Sequence, residues 1–296
     1  MKLGLLTSAA LPELNLSDRS LKVVLEKHGH HCEILIWDQI QIGAGKTLIY
    51  QSEEKIFDGL IIRSPWDYYK KLPQFLNFTK NCPVPLMNPA DLIEWNSNKK
   101  YLLRFEKAGV PAVPTKIFSA LEDLQSASLP WEKIVVKPSV SASSFMTYLW
   151  EKNQIHQNTD QLKAIFQHSE VVVQPFIPEI QEFGEMSLVY FRCGGKPCFS
   201  HAVVKRAKSG DFRIQQDHGG SLHVYEPTAR DLEFGDYVLQ QISEPWVYAR
   251  VDAIPSKQGL LLCELEMIEP ELFMATAKNK EDLFYQAICD FLDHSP

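Results

Sequence analysis

Apolar and polar positions alternate with two different periods along the first 92 residues. Short apolar runs bounded by turn residues predict buried strands. A stretch capped by Ser17 and ended by Gly29 places its apolar residues at helical spacing and predicts a helix. Strands that alternate with helices at this spacing form a parallel sheet. The segments in this pattern are 2–8, 17–29, 32–37, 59–64, 72–81 and 84–88. We therefore predict an open α/β domain over residues 1–92.

Residues 93–296 continue with strands and helices in a different order, which indicates a second domain of α+β type. A helix is predicted at 97–109, capped by Ser97 or Asn96, and a hairpin around Gly194 and Gly195. We divide this domain into a first lobe at about 93–176 and a second lobe at about 177–296. The remaining predicted elements are 115–119, 121–126, 133–138, 147–151, 159–169, 171–176, 185–192, 198–206, 228–242 and 281–293.

The stretch 248–273 predicts two strands joined by a turn. If the connecting loop has an odd number of residues, four charged residues share one face: Arg250, Asp252, Glu264 and Glu266. The opposite face is then apolar: Val251, Ala253, Cys263, Leu265 and Met267. An even loop would move the acids of one strand to that opposite face.

Carboxylates gathered in this way repel one another, at roughly 4 kcal/mol for two charges 4 Å apart in a medium of effective dielectric 20. They indicate a bound cation, an altered protonation state or a more open geometry, and oxygen ligands favour Mg²⁺ or Mn²⁺. The competing interpretation is an edge hairpin with a solvated acidic face.

Composition narrows the class of protein. The chain has 296 residues, is 45% hydrophobic and carries a net charge of −7, which argues against a general nucleic-acid binder. Its six cysteines form no CxxC motif and favour a reducing, cytoplasmic compartment. No apolar run approaches the ~20 residues of a membrane helix, so we expect no membrane partner.

Three further places carry candidate chemistry. Lys99 lies in the first turn of the helix predicted at 97–109, where an anion would offset its charge. Lys137 ends an apolar strand and precedes a loop of small residues, 139–144, that lets backbone N–H groups approach a phosphate. The strand 59–64 ends in Arg63, and Trp66, Asp67 and Tyr68 follow it, at the edge where open α/β sheets bind ligands. This segment is either a substrate loop or a structural turn with Trp66 packed on the sheet.

The order of these motifs resembles the ATP-grasp superfamily, in particular prokaryotic glutathione synthetase, the ribosomal S6 modification ligases and the cycloserine-pathway cyclo-ligase. The motifs run from about residue 60 to 290 and read NKKYL, VVKP with its small-residue loop, QPFIPEIQEFGEMS, KRAKSGDFR with HGG, and YARVD with ELEMIEP. The resemblance implies a pre-ATP-grasp domain at 1–92, a two-lobed ATP-grasp domain at 93–296, and ATP with Mg²⁺ or Mn²⁺ as cofactors.

The resemblance also implies roles for individual residues. For the nucleotide they are Lys99 and Lys137 with Ser141 and Ser143 on the phosphates, Gln174, Pro175, Phe176 and Ile177 on the adenine, Glu182 or Glu185 on the ribose, and Gly219 and Gly220 near the acyl phosphate. For the reaction they are Lys205, Arg213 and Arg250 as cations, Asp252, Glu264 and Glu266 as metal ligands with Glu269 in reserve, and Arg63, Trp66 and Asp67 for the substrate. His218 is either a substrate ligand or a plain loop histidine.

Two departures from the family pattern stand out. The phosphate loop is usually glycine-rich in the family but has the sequence SVSASS here. The last metal ligand of the family is commonly an asparagine two residues after a glutamate, and Glu266 stands at that position. We expect an ATP-dependent ligase that activates a small carboxylate for attack by an amine, with amino acids among the candidate substrates and a homo-oligomer as a possible assembly. The alternatives are a nucleotide-binding module of the same fold without ligase activity and a scaffold protein.

Overall fold

The computed structural model describes residues 1–208, 219–277 and 280–294. Its N-terminal unit contains, in chain order, β1 (Lys2–Thr7), α1 (Leu16–Lys27), β2 (His31–Ile36), β3 (Gln41–Ile42), β4 (Thr47–Tyr50), β5 (Glu53–Ile56), β6 (Gly59–Ser64), α2 (Leu72–Asn81) and β7 (Leu86–Met87). A parallel sheet in the order β2-β1-β6-β7 confirms the predicted open layer. The irregular segment after β2 forms a small antiparallel sheet, β3-β4-β5. The cap of α1 is Asn15 rather than Ser17, because the Asn15 side chain accepts the N–H of Asp18 at 3.0 Å.

The next unit is built around a four-stranded antiparallel sheet in the order β10-β9-β11-β8. Its elements are α3 (Ala90–Asn96), α4 (Tyr101–Lys107), β8 (Lys116–Phe118), α5 (Leu121–Ser126), β9 (Lys133–Pro138), β10 (Tyr148–Glu151), α6 (Thr159–His168) and β11 (Val171–Pro175). The helix predicted at 97–109 begins later, at Tyr101, so Lys99 precedes it instead of lying in its first turn.

The last unit carries a five-stranded antiparallel sheet in the order β14-β13-β12-β15-β16. Its elements are α7 (Glu179–Phe183), β12 (Glu185–Cys193), β13 (Lys196–Arg206), β14 (Ser221–Tyr225), α8 (Ala229–Leu239), β15 (Tyr248–Ser256), β16 (Gly259–Glu266) and α9 (Glu281–Asp293). In the described ranges, no helix is long and apolar enough to cross a membrane.

At least two hydrophobic clusters join these units. Leu92 and Phe105 pack with Leu188 and Val251, so α3 and α4 contact the five-stranded sheet although they precede the four-stranded one in the chain. The second cluster brings residues of β1, α1, β12 and α9 together, including Leu5, Leu21, Phe191 and Phe284. The sheets therefore share hydrophobic clusters, and the boundary predicted at residue 92 lies inside α3.

Candidate active site

The hairpin of β15 and β16 gathers the predicted charged residues on one face. Arg250 pairs with Glu266 across the ladder, and Asp252 pairs with Glu264. Because directly opposed residues of an antiparallel pair point to the same side, all four side chains lie together.

A β-bulge sets this register. The turn between the strands has two residues, 257 and 258, and Ser256 pairs with Gly259. That turn alone would place Cys263 opposite Asp252 and send the acids of β16 to the other face. An irregularity in the ladder between Asp252 and the next residue leaves Cys263 as an extra residue on β16, so the next residue, Glu264, takes the partner position.

The same bulge moves Cys263 out of the apolar face where the period of two had placed it. Its Sγ lies 3.2 Å from a carboxylate oxygen of Glu185 and 3.2 Å from the backbone carbonyl of Asp252. Cys263 therefore lines the same cavity as the charged residues.

The charged face forms one wall of a cavity of about 570 Å³. This cavity collects most of the residues that the sequence singled out. The predicted residues in its lining are Trp66, Lys99, Lys137, Ser141, Ser143, Gln174, Pro175, Phe176, Ile177, Glu185, Lys205, Arg250, Asp252, Glu264, Glu266 and Glu269.

Asp252 is the centre of the ion-pair network. Arg250 Nη2 lies 2.8 Å and Lys205 Nζ 3.2 Å from Asp252 Oδ2, while the Ser187 hydroxyl donates to Oδ1 at 2.5 Å. Burial alone would raise the pKa of Asp252, but the Arg250 and Lys205 cations hold it at about 2. Lys205 also lies 2.5 Å from Glu185. Asp252 is thus ionised at neutral pH.

The two acids of β16 have different partners. Lys99 Nζ lies 2.9 Å from Glu264 Oε1, and Glu266 pairs with Arg250. Burial raises the pKa of Glu266 to about 7, since the attraction of Arg250 is opposed by Asp252 and Glu264. For Glu264, the nearby Lys99 and Lys137 cations outweigh burial and lower the pKa.

The three predicted metal ligands fit a divalent ion in chemistry, because carboxylate oxygens suit Mg²⁺. Their present partners are the cations Lys99, Lys205 and Arg250. Within the part of the chain that the structure describes, no group of three or more acidic, histidine or cysteine side chains is arranged to hold a metal ion. A metal here therefore requires at least one of these cations to release its carboxylate.

Lys137 differs from the other cations of the wall. Its ammonium has no hydrogen-bond or ion-pair partner among the described residues, although Lys137 lines the cavity. Burial lowers the pKa of Lys137, and the nearby Glu264 carboxylate opposes this shift. A partly desolvated cation without a fixed partner is suited to bind an anion.

One end of the cavity is apolar. The end of β11 and the residues after it, 174–177, form one side, and Val113, Val135 and Ile254 add aliphatic groups. The Gln174 amide donates to Thr115 Oγ1 at 2.9 Å, which fixes this edge. An apolar slot beside a few polar groups suits a planar base.

The small-residue loop takes a glycine-like path without glycine. Ser143, Ser144 and Met146 have φ of 48°, 56° and 48°, in the left-handed region that glycine enters most readily. Phe145 anchors the loop, with its ring 5.0 Å from that of Tyr69. The departure from the family pattern therefore changes the residues of the loop more than its type of backbone conformation.

The structure does not bring every predicted residue to the cavity, and Arg63 requires a correction. Its side chain is completely buried, with Nε 2.9 Å from Asp18 Oδ1 and Nη2 donating to the Pro270 carbonyl at 2.6 Å. Asp67 accepts the indole N–H of Trp37 at 2.9 Å and is absent from the lining. Direct substrate contact through Arg63 or Asp67 does not fit this geometry, because both side chains are used inside the protein.

Other candidates separate in the same way. Glu182 is exposed on α7 and does not line the cavity, whereas Glu185 does. Gly219 and Gly220 also lie outside the lining, although the two residues that follow them contribute to it. Arg213 and His218 lie outside the described residues.

The start of α1 also contributes to the cavity, which we did not predict from the sequence. Asn15, Ser17 and Arg19, at the start of this helix, line the cavity. The signal was available, because they follow the carboxyl end of β1 and ligands bind beyond the carboxyl ends of parallel strands.

Comparisons with known proteins agree with this architecture. Residues 3–88 match the family model described as the N-terminal domain of D-cycloserine synthetase DcsG. The cycloserine biosynthesis protein DcsG of Streptomyces lavendulae is 24% identical over 257 residues, which cover 80% of this chain and 84% of that protein.

Solved structures extend the likeness to the whole chain. The crystal structure of D-cycloserine synthetase DcsG has a TM-score of 0.80 at 22% identity, covering 99% of this chain and 100% of that one. D-alanyl-alanine synthetase A of Vibrio cholerae has a TM-score of 0.71 at 14% identity, with 99% of each chain covered. An ATP-grasp RimK domain protein of Sphaerobacter thermophilus has a TM-score of 0.66 at 15% identity, covering 98% and 99%.

The chain therefore has the ATP-grasp fold, and the resemblance drawn from its motifs is confirmed at that level. Within this fold, it is similar over nearly its full length to D-cycloserine synthetase DcsG.

Proposed function

We propose that this chain is an ATP-dependent ligase. It activates the carboxylate of a small molecule as an acyl phosphate, which an amine or similar nucleophile attacks with release of phosphate. The relatives named as cycloserine and D-alanyl-alanine synthetases support a substrate of amino-acid type.

The unpaired Lys137 ammonium in the cavity is the observation that carries this proposal. Phosphoryl transfer needs positioning and neutralisation of charge rather than a protein nucleophile. Lys137 and Lys99 bind the ATP phosphates, with the adenine in the apolar slot at 174–177. Lys205 and Arg250 stabilise the transferred phosphoryl group. Arg213 is a third candidate for this role. Glu185 is the candidate for the ribose because it lines the cavity and Glu182 does not.

Asp252, Glu264 and Glu266 hold Mg²⁺ or Mn²⁺ in this proposal. The metal ion, when bound, neutralises phosphate charge and orients the phosphate oxygens. The chain's own part is to present carboxylates whose cation partners can release them. Glu264 and Glu266 can be released by their cation partners more easily than Asp252, because Asp252 has two cation partners and is almost completely buried.

Release of ADP from Mg-ATP tests the proposal, measured against a panel of L- and D-amino acids and small carboxylates. We expect turnover that depends on both Mg²⁺ and one class of carboxylate. Lys137→Gln should reduce this turnover by at least about 100-fold, as expected for loss of an electrostatic contact to the ATP phosphates. The matched control is Lys163→Gln, because Lys163 is exposed on α6 and lies outside the cavity. Tight ATP binding without ADP release over the whole panel would instead indicate a nucleotide-binding module.

A further inference from the structure

The segment that follows β16 is held almost entirely by side chains. Residues 267–272 belong to no helix or strand, yet each of their six backbone carbonyls accepts a hydrogen bond from a side chain. The donors, in order along the segment, are Asn88 (2.7 Å), Tyr248 (3.0 Å), Trp66 (3.1 Å), Arg63 (2.6 Å), Arg250 (3.1 Å) and His201 (2.7 Å). Buried carbonyls need partners, and here the donors come from β6, β13 and β15 and from the segments that follow β6 and β7. The segment is therefore fixed in position relative to the cavity.

Glu269 lies in the middle of this segment. It is 9% exposed and lines the cavity, and its carboxylate has no hydrogen-bond or ion-pair partner from another residue that the structure describes. The carbonyls on either side are held by Tyr248 and Arg63, and its own carbonyl by Trp66. The rigid backbone therefore presents an unpaired carboxylate to the cavity.

The hydroxyl of Tyr68 is a second polar group of the same cavity lining without a partner in the described part of the chain. Tyr68 is 5% exposed and lines the cavity, and its hydroxyl also has no hydrogen-bond partner in the described ranges. Burial raises the pKa of Tyr68, and the charges of Glu269, Glu266 and Glu264 raise it further. Both Tyr68 and Glu269 therefore belong to the acidic part of the cavity lining.

We propose that Glu269, together with the Tyr68 hydroxyl, binds the ammonium group of an amino-acid substrate. This rests on the proposed ligase function and assigns the cationic end of its substrate. A single carboxylate with one neutral acceptor matches a monovalent ammonium ion, whereas Mg²⁺ prefers octahedral coordination that usually keeps several waters. Within the described residues, Lys137 and Glu269 then give one cavity an unpaired ammonium and an unpaired carboxyl group. Burial and the Glu266 carboxylate raise the pKa of Glu269, and a bound ammonium ion would favour its ionised form.

The roles of Trp66 and Arg63 follow from this proposal. Both donate to the backbone of 269–270. They are positioning residues for Glu269. This explains how a loop that the sequence linked to the substrate acts on it without Arg63 reaching the cavity.

Binding by calorimetry, with ADP and Mg²⁺ present, tests the proposal. The probes are the amino acid that gives the largest thermal shift in the panel and its N-acetyl derivative, which lacks the ammonium group. Wild-type protein should bind the amino acid more tightly. Glu269→Gln should weaken that binding about 10- to 100-fold, the range for one hydrogen bond to a charged group, and should remove the preference over the N-acetyl derivative. The matched control is Glu233→Gln, because Glu233 is exposed on α8.

Other outcomes would overturn the proposal. If Glu269→Gln bound both probes as the wild type does, Glu269 would have no part in recognition. If it changed only the Mg²⁺ concentration needed for ADP binding, Glu269 would be a metal ligand. Should Glu269→Gln fail to fold, Tyr68→Phe should still weaken amino-acid binding severalfold and leave ADP binding unchanged. Because these measurements need no turnover, failure of the ligase proposal would appear separately, as binding without ADP release.

Discussion

Lys99 lies 2.9 Å from Glu264, so a cation from the segment before α4 neutralises a proposed metal ligand on β16. Lys99 also donates to the Ser141 carbonyl at 2.9 Å and thereby contacts the small-residue loop. The same lysine therefore links the wall of acids to the loop that we expect above the phosphates.

Lys99→Met should leave Glu264 without its partner. We expect the free energy of unfolding to fall by roughly 1–3 kcal/mol, because a partly buried carboxylate loses its hydrogen-bonded cation. Mg²⁺ should then raise the melting temperature of the variant more than that of the wild type, since the metal meets no competing ammonium. Thermal unfolding with and without Mg²⁺ measures both effects.

Lys100→Met is the matched control for this prediction, because Lys100 is exposed and pairs with Glu170, which does not line the cavity. Equal stabilisation of wild type and Lys99→Met by Mg²⁺ would contradict the view that Lys99 and a metal compete for Glu264.

Arg63→Met should destabilise the protein strongly. Arg63 and Asp18 are both completely buried, and removing one partner leaves an uncompensated charge. We expect the free energy of unfolding to fall by about 3–5 kcal/mol, measured by urea denaturation. The apparent KM for the amino-acid substrate should also rise, because Arg63 fixes the carbonyl next to Glu269. The apparent KM for ATP should change little.

Lys71→Met supplies the comparison, since its ion pair with Asp38 spans 2.7 Å but is exposed. This variant should be close to the wild type in stability, as surface ion pairs usually contribute little. If Arg63→Met and Lys71→Met lost similar amounts of stability, burial of the Arg63–Asp18 pair would not explain the loss in Arg63→Met.

His201 should make stability depend on pH in a defined window. Burial lowers the pKa of His201 from 6.5 to about 4, although its hydrogen bond to the Leu272 carbonyl acts in the opposite direction. The unfolded chain therefore binds a proton below pH 6.5 that the folded protein excludes until about pH 4. Its contribution is complete above pH 6.5 and is lost as the pH falls towards 4, at up to about 1.4 kcal/mol per pH unit.

His201→Gln retains an N–H donor at a similar place but does not titrate. Urea unfolding across this window should show a shallower loss of stability in the variant than in the wild type. Exposed His156 serves as the control, and His156→Gln should keep the wild-type slope. Identical slopes in wild type and His201→Gln would show that other groups cause the acid sensitivity.

The part of the site that local periodicity governs was predictable from sequence. Arg250, Asp252, Glu264 and Glu266 share a face because strands repeat every two residues, and the end of the apolar strand β9 identified Lys137. The bulge at Cys263 was not predictable, since the period of two contains no signal for an extra residue. Because of this bulge the four charged residues share a face, although the connecting loop has an even number of residues.

The prediction that Arg63 contacts the substrate was wrong for a different physical reason. Its position at the end of β6 gave it a place at the correct edge of the sheet. Its partner Asp18, however, lies 45 residues earlier, on α1. Whether Arg63 points into the cavity or into the protein depends on this long-range pair with Asp18. The six carbonyl contacts of 267–272 belong to the same class, because their donors come from distant parts of the chain.

The packing of α9 has a consequence for biosynthesis. Phe284 and Ile288 of this helix share a hydrophobic cluster with Leu5 of β1 and Leu21 of α1. A ribosome adds roughly 5–20 residues per second, so the first strand waits many seconds for its covering helix. During that time part of the N-terminal sheet lacks its apolar cover and is a natural substrate for chaperones. The hydrophobic cluster that joins β1 and α1 to α9 is therefore completed only after residues 281–293 have been synthesised.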